Sequence, residues 1–266
     1  MEKNKSEARA RQILRLHLNA LEEKPELGLL SVVLVGSLTT GSYTGDDGSD
    51  IDLIHILRDD APEESRQQVL EAIARTEATT GRDIPISRCV YRYRDLFSPY
   101  PKGLAGQVVY KDYAELPIEI MRMKDSGQTV WGRDILDTID YPSREDVLAG
   151  KEEERRWSEA IQEQTGFQPI APEDLPMRLI VQSVLVRALL DYYFATGRSC
   201  SDKAAVAEKL GRDVPGYAFL PLVELCTRWR YRNPSFTSAD GENVQRLWSA
   251  WLERRKGMAL GDVPCD

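Results

Sequence analysis

The segment Ser31–Leu57, SVVLVGSLTTGSYTGDDGSDIDLIHIL, decides the fold of this chain. Its two ends, residues 31–35 and 51–57, are short runs of β-branched and aliphatic residues, which predict two buried strands. The polar stretch between them, residues 38–48, is rich in glycine and predicts a loop. A Gly-Ser turn therefore follows the first strand, and the sequence Ser-Asp-Ile-Asp opens the second.

The two aspartates of this segment are spaced to share one face of a strand. Side chains alternate along a strand, so Asp50 and Asp52 point the same way, with Cα atoms about 6.6 Å apart at about 3.3 Å per residue. Carboxylates at that separation can converge on two Mg2+ ions, which prefer oxygen ligands and substrate phosphates. Asp46 and Asp47 are expected to be solvated turn residues. The pattern predicts a metal and phosphate site, and an ordinary polar loop is the alternative.

The Gly-Ser turn has the chemistry of a phosphate contact. Gly36 has no Cβ, so its backbone can approach a phosphate closely. Backbone N–H groups and the Ser37 hydroxyl can donate to phosphate oxygens, and Ser49 can add a hydrogen bond beside the first aspartate. The sequence G-x-x-x-x-G-K-[ST] does not occur, which excludes a P-loop.

Composition narrows the class of protein. The chain has 266 residues, 42% apolar and 29% charged, with a net charge of −8, which is typical of a folded protein. An acidic balance argues against a long nucleic acid as the main partner and favours a cationic small molecule. Four cysteines without a C-x-x-C pair and two histidines argue against a zinc site.

Two further features indicate a cytoplasmic protein. The N-terminal residues carry charges and no apolar core, so no signal peptide is expected. The apolar run from Leu179 to Phe194 is interrupted by Gln182, Arg187 and Asp191. This favours a buried helix over a membrane span.

The pattern of elements changes near residue 145. Before it, we predict helices at 6–23 and 62–80, strands at 84–91, 107–111 and 117–123, and a helix from Val130 onward. After it, we predict helices at 144–164, 176–195, 202–210, 218–230 and 240–256. The sequence therefore predicts an α+β fold, with residues 1–145 forming a mixed β-sheet with flanking helices and residues 146–266 forming an α-helical bundle.

A third acidic residue is predicted to join the aspartates. Glu119 lies in Leu-Pro-Ile-Glu-Ile (116–120), a run with strand-like alternation, and a carboxylate between isoleucines needs a partner or a metal. Glu119 is therefore the candidate third acid and general base. Glu115 and Asp112 are the fallback candidates, and an edge-strand glutamate facing solvent is the alternative.

The two histidines are not expected to be ligands. His17 is interpreted as a surface or boundary residue of the first helix. His55 alternates with the aspartates and is interpreted as a packing residue on the opposite face of its strand.

These motifs carry a resemblance to a known superfamily. Residues 31–134 resemble the nucleotidyltransferase superfamily that includes DNA polymerase β, through the Gly-Ser turn and the Ser-Asp-Ile-Asp sequence. Ala195-Thr196-Gly197 and the following Asp-Lys-Ala-Ala-Val-Ala (202–207) are similar to the tail of aminoglycoside adenylyltransferases that modify streptomycin and spectinomycin. The resemblance implies a Mg2+-dependent enzyme that transfers AMP from ATP to a hydroxyl of an aminoglycoside and releases pyrophosphate.

The resemblance also implies residue roles. Asp50 and Asp52 would hold two Mg2+ ions, Ser37 and Ser49 would touch the nucleotide, Lys203 would close on the triphosphate, and Glu119 would serve as base. The family's arginine before Ala-Thr-Gly has no strict match here, because Arg187 is offset. Arg133 either reaches a phosphate or pairs with Asp134 or Asp137.

Two other functions stay open on the sequence. A toxin-type nucleotidyltransferase would modify tRNA or a protein, because four arginines (82, 88, 92 and 94) alternate with Tyr91 and Tyr93 and such a strand can face RNA phosphates. A solvated edge strand explains the same pattern. A non-catalytic nucleotide-binding sensor is the other alternative. The nucleotide, the acceptor and the oligomeric state, monomer or homodimer, are not fixed by the sequence.

Overall fold

A computed structural model describes residues 2–45, 49–81, 83–101, 111–165, 170–171 and 174–266. The chain divides into two compact units, Met1–Glu154 and Arg155–Asp266. This division falls nine residues after the predicted domain boundary at 145, inside the long helix Arg144–Thr165.

The first unit is built on a four-stranded mixed sheet of order β3-β2-β1-β4. β1 runs antiparallel to both β2 and β4, and β2 runs parallel to β3. In chain order the elements are α1 (Glu2–Glu22), β1 (Leu29–Leu34), α2 (Ser37–Thr40), β2 (Leu53–Leu57), α3 (Ser65–Thr79), β3 (Cys89–Arg92), α4 (Lys111–Ser126), β4 (Gln128–Gly132) and the first half of α5 (Arg144–Thr165). The predicted mixed sheet with flanking helices is confirmed.

The sheet is buried on both faces, and side-chain alternation sorts its residues between two cores. Leu34 and Leu53 pack in a core with α1 and α3, whereas Val33 and Ile54 pack in a second core with α4. Each such aliphatic side chain contributes about 1.5–3 kcal/mol when fully buried. Because Asp52 is one residue before Leu53, it lies on the α4 side of the sheet.

The two histidines meet in the core between α1 and the sheet. His17 and His55 are both fully buried, and their Nε2 atoms are 2.9 Å apart. His55 donates from Nδ1 to the carbonyl oxygen of Cys89 at 3.2 Å, so its Nε2 accepts from the Nε2–H of His17. The interpretation of His17 as a surface or boundary residue was wrong, because it falls on the apolar stripe that includes Ile13 and Leu21.

Both imidazoles are neutral at pH 7. Burial and the neighbouring His55 lower the pKa of His17 from 6.5 to about 3. Burial lowers the pKa of His55 to about 4, although the hydrogen bond to Cys89 opposes the shift. The unfolded chain therefore binds protons near pH 6.5 that the folded chain binds only at about 3 and 4, and folding is favoured above pH 6.5 and weakened progressively below it.

Two predicted elements of the first unit were wrong. The strand predicted at 117–123 lies inside α4, because Leu116, Ile120 and Met123 follow helical spacing and pack together on the sheet. The helix predicted from Val130 onward is instead β4, whose Trp131 pairs with Val32 of β1. The short strand predicted at 107–111 lies outside the described residues except for Lys111, which begins α4.

Two smaller differences concern the segment around the aspartates. The loop predicted at 38–48 opens with the helical turn α2. The predicted strand at 84–91 is regular only from Cys89, although Ile86 forms a parallel bridge with Ile51.

The second unit is helical, as predicted. Its helices after α5 are α6 (Met177–Thr196), α7 (Val206–Asp213), α8 (Leu220–Arg230) and α9 (Ser238–Arg255). By length and composition α6 could span a membrane, but a core helix passes the same test. Its Ile180, Val184 and Tyr192 pack in the core of this unit.

Lowering the pH from 7 to 5 should reduce the free energy of unfolding of the first unit by about 4 kcal/mol, roughly 2 per histidine. His17→Gln removes one of the two ionisable groups, so it should remove about half of this pH dependence. Urea unfolding followed by fluorine NMR of fluorotryptophan at Trp131 measures the change within this unit.

Thr76→Val is the matched control, because the Thr76 hydroxyl lies 3.3 Å from His17 Nδ1 and does not titrate. It should change the stability and leave the pH dependence intact. An equal pH dependence in His17→Gln and the wild type would contradict the assignment.

Candidate functional site

The turn after β1 is built around a glycine that the acidic site requires. Gly36 has φ 77° and ψ −150°, a conformation that L side chains rarely adopt. A Cβ on Gly36 would also lie 2.1 Å from Asp52 Oδ2 and 3.0 Å from an Arg122 Nη atom. The Gly-Ser turn therefore packs directly on the acidic side chain of the next strand, as the sequence spacing suggested.

Asp50 and Asp52 are held at the start of β2 on the α4 side of the sheet. The N–H of Val35 donates to the Asp52 carbonyl at 3.0 Å, which continues the β1–β2 pairing past the end of the strand. Ile51 and Leu53 are buried in the core on the other face. Asp50 and Asp52 alternate with them and are half-buried. This keeps both carboxylates at one end of the sheet and out of its core.

An arginine that the sequence reasoning missed joins the predicted acidic residues. Arg122 Nη2 lies 2.7 Å from Asp52 Oδ1, and its Nη1 donates to both Glu119 oxygens at 2.9 Å. The i, i+3 spacing of Glu119 and Arg122 on a helix was the local signal that could have revealed this pair. The structure thus brings Glu119 to the site of Asp52, with a guanidinium between the two carboxylates.

Burial and neighbouring charges shift the pKa values of Glu119 and Arg122. Burial raises the pKa of Glu119 above its usual range, and the Arg122 charge opposes the shift. Burial alone would lower the pKa of Arg122, but Glu119 and Asp52 raise it above its ordinary value. Arg122 therefore carries a fixed positive charge at the site at every working pH.

The third acid comes from a helix, which corrects the expectation of a neighbouring strand. On the strand beside β2, the positions that share the face of Asp52 are Ser87 and Cys89. Ser87 uses its hydroxyl to bond the backbone N–H and carbonyl of Leu53, both at 2.7 Å. Residues 84–94 contain no Asp or Glu, so α4 supplies the carboxylate instead.

The two predicted serines differ in their surroundings. The buried Ser49 has its hydroxyl 2.8 Å from Thr44 Oγ1 and accepts from the Gly45 N–H at 3.1 Å. It ties together its own loop. Ser37 is half-buried at the first position of α2, directly beside Gly36.

The structure also locates the three cationic residues that the sequence singled out. Lys203 is half-buried in the turn that precedes α7. Arg187 bonds Asp191 Oδ1 at 2.9 Å and the Leu260 carbonyl at 2.7 Å, so it serves the packing of the second unit. The exposed Arg133 donates its backbone N–H to Leu30, while Asp134 bonds Thr129.

The side chains do not fit the predicted pair of metal ions. Within the described ranges, no group of three or more His, Cys, Asp or Glu side chains is arranged to hold a metal. Glu119 and one oxygen of Asp52 bond Arg122. Asp50 and the second oxygen of Asp52 have the hard oxygen chemistry that suits one Mg2+ ion.

Sequence comparison defines the class of the protein. Residues 14–103 match the family of nucleotidyltransferase domains, and this range contains the Gly-Ser turn and both aspartates. The chain therefore carries a nucleotidyltransferase domain, and the protein is an enzyme of that class. A comparison with curated protein sequences finds no match.

Structural comparison extends the similarity to the whole chain. The fold is similar to that of the spectinomycin adenyltransferase AAD(9) from Enterococcus faecialis, solved with ATP and spectinomycin. The TM-score is 0.51 at 16% sequence identity, over 96% of this chain and 99% of that chain. The predicted similarity to aminoglycoside adenylyltransferases is confirmed at the level of the fold, including the helical second half.

Replacing Gly36 by alanine should destabilise the first unit more than the same change at Gly41. Gly41 has a left-handed α conformation (φ 75°, ψ 9°), where alanine costs about 1–2 kcal/mol, whereas Gly36 (φ 77°, ψ −150°) lies in a region that is essentially restricted to glycine and costs more. A Cβ at Gly41 meets nothing within 4 Å, whereas one at Gly36 meets Asp52. Urea unfolding of both variants gives the difference, and equal costs would show that Asp52 does not press on the turn.

Proposed function

We propose that this enzyme transfers AMP from ATP to a hydroxyl of a small cationic acceptor, an aminoglycoside, and releases pyrophosphate. One observation carries the proposal: the Asp50 and Asp52 pair opens β2 beside the Gly36–Ser37 turn, inside the segment that matches nucleotidyltransferase domains. That arrangement places acidic oxygens next to a backbone turn that a phosphate can approach.

The residue roles in this proposal follow the site. Gly36 and Ser37 bind the triphosphate. Asp50 and Asp52 hold a divalent ion, whose positive charge offsets the negative charge of the phosphates. Ser49 supports this arrangement by fixing the loop that leads into Asp50, since its hydroxyl bonds Thr44 and Gly45.

Glu119 is proposed as the group that accepts the proton of the acceptor hydroxyl. A carboxylate with a raised pKa is a better base for this purpose than an ordinary one, because its proton affinity lies closer to neutral pH. As the proton leaves, the hydroxyl oxygen bonds the α-phosphorus and the bond to pyrophosphate breaks. Arg122 donates to both Glu119 oxygens and so fixes the orientation of this carboxylate.

The choice of acceptor rests on charge and on fold. A net charge of −8 attracts a cationic drug and repels a polyanion. The structure of AAD(9), which has a similar fold, was solved with ATP and spectinomycin. This supports an acceptor of the same class as spectinomycin and ATP as the nucleotide.

The tRNA alternative loses part of its support. Arg92 bonds the Ala61 carbonyl at 2.9 Å and pairs with Glu63 at 3.2 Å, and its side chain is only 16% exposed. Arg88 pairs with Glu77 at 2.7 Å, although its side chain is 57% exposed. The Arg94 side chain is 65% exposed. Arg82 lies outside the described residues.

A screen for pyrophosphate release tests the proposal. ATP, CTP, GTP and UTP are paired with streptomycin, spectinomycin, other aminoglycosides, lincosamides and bulk tRNA. Turnover is expected with ATP and an aminoglycoside, and Asp50→Ala or Asp52→Ala should reduce it at least a hundredfold, because each variant removes charge stabilisation from the reacting phosphates.

Asp60→Asn is the control for this screen, because the Asp60 side chain is 78% exposed and pairs only with Arg58 among the contacts described. It should leave turnover unchanged. Turnover with tRNA alone would replace the proposed acceptor, and full activity in Asp50→Ala would refute the role of the acidic pair.

Glu119→Gln should lower kcat at least a hundredfold and change the KM for ATP much less, because it removes a proton acceptor and keeps a polar side chain. Steady-state kinetics with the acceptor found in the screen measure both constants. Glu115→Gln is the matched control, one helical turn away on α4, and should retain kcat. If Glu115→Gln loses activity and Glu119→Gln does not, Glu115 is the base.

A further inference from the structure

Arg122 occupies the space between two of the three acidic side chains at the site. Its guanidinium bonds Asp52 on one side at 2.7 Å and Glu119 on the other at 2.9 Å. The same group approaches Gly36, since one Nη atom is 3.0 Å from the position of a Cβ there. A cation is thus already present where the acidic residues meet the phosphate-binding turn.

Arg122 already occupies carboxylate oxygens that a second ion would need. Its guanidinium bonds Asp52 Oδ1 at 2.7 Å and both oxygens of Glu119 at 2.9 Å. A second ion would have to displace the N–H donors of Arg122 from Glu119 and Asp52, at the cost of an unpaired guanidinium in a partly buried place.

A guanidinium can perform the electrostatic role of an ion at this position. It is planar, permanently charged, and presents N–H groups that match carboxylate and phosphate oxygens. Positive charge fixed near a reacting phosphoryl group stabilises the transition state, whichever group provides it. Arg122 is held by both carboxylates, so this charge needs little reorganisation during the reaction.

We propose that Arg122 takes the place of one metal ion of a two-ion site, so that the enzyme holds a single divalent ion, at Asp50 and Asp52. This inference rests on the proposed function of the acidic pair. Arg122 is accordingly a residue of the reaction site, and its bonds to Glu119 hold both side chains in place. The usual set of three carboxylates around two ions is replaced by three carboxylates around one ion and one guanidinium.

Manganese titration of the full chain tests the proposal. Mn2+ is added to the protein, first alone and then with α,β-methylene-ATP, a non-transferable analogue, and bound ions are counted by electron paramagnetic resonance. The wild type should bind one Mn2+ at this site. Arg122→Gln should bind two, because it frees Glu119 and one oxygen of Asp52, and Arg122→Lys should keep the count at one because it keeps the charge.

Arg75→Gln is the matched control, since Arg75 is exposed on α3 and its loss changes the net charge equally. It should leave the count at one. A wild-type count of two or zero overturns the proposal, and so does a count that stays at one in folded Arg122→Gln. If Arg122→Gln does not fold, a wild-type count of one together with one in Arg122→Lys supports the proposal, and any other pair of counts overturns it.

The counts in protein without nucleotide separate this inference from the proposed function. One Mn2+ in the wild type and two in Arg122→Gln, with no AMP transfer to any acceptor, would disprove the proposed function and leave the role of Arg122 in place. AMP transfer together with two Mn2+ ions in the wild type would support the proposed function and disprove the role of Arg122.

Discussion

The bridge from Arg122 to Asp52 and Glu119 is the interaction on which the site depends. α4 packs on the sheet through Leu116, Ile120 and Met123, but those apolar contacts do not fix the positions of the charged side chains at the end of the sheet. The Arg122 guanidinium fixes them, because it links α4 to the segment that carries the acidic pair. A bridge of this kind is weak evidence for stability, since removing charges from water is costly. Its value is that it defines one geometry for three charged groups.

The buried sheet explains why these charges lie where they do. Both faces of β1 and β2 are covered, one by α1 and α3 and the other by α4, so a charged side chain within the strands would be buried. The aspartates precede β2 and are only half-buried, although Ile51 between them is buried on the other face. Gly36 then completes the site, since only a residue without a Cβ lets the turn lie against Asp52. His17 and His55 are ionisable side chains that are fully buried, and they are neutral because burial lowers the pKa of each.

Local patterns in the sequence were sufficient for the strand pair, the acidic pair and the helices of the second unit. They failed for α4, because Leu-Pro-Ile-Glu-Ile satisfies strand alternation over five residues and helical spacing appears only when Met123 is included. They failed for His17, although it follows Ile13 by four residues, because a histidine was assumed to prefer the surface. The contact between Arg122 and Asp52 joins positions 70 residues apart, and no local periodicity encodes such a pair. The spacing of residues along the sequence does not predict such long-range contacts.

The helical origin of Glu119 changes what this residue can do. A carboxylate on a strand beside Asp52 would be fixed by the ladder and would face the same ion as the aspartates. A carboxylate on α4 has Arg122 one turn away, and the two share a hydrogen-bonded geometry before any ligand arrives. Ser87 and Cys89 hold the strand positions instead, and neither supplies a carboxylate oxygen. The chain therefore replaces a strand carboxylate by a helical carboxylate and arginine together, which adds positive charge to the site where the strand arrangement adds only negative charge. If Arg122 takes the place of one ion, as proposed above, this exchange lowers the demand for divalent ions, and an enzyme of the same fold with a strand carboxylate would differ from this one in metal stoichiometry.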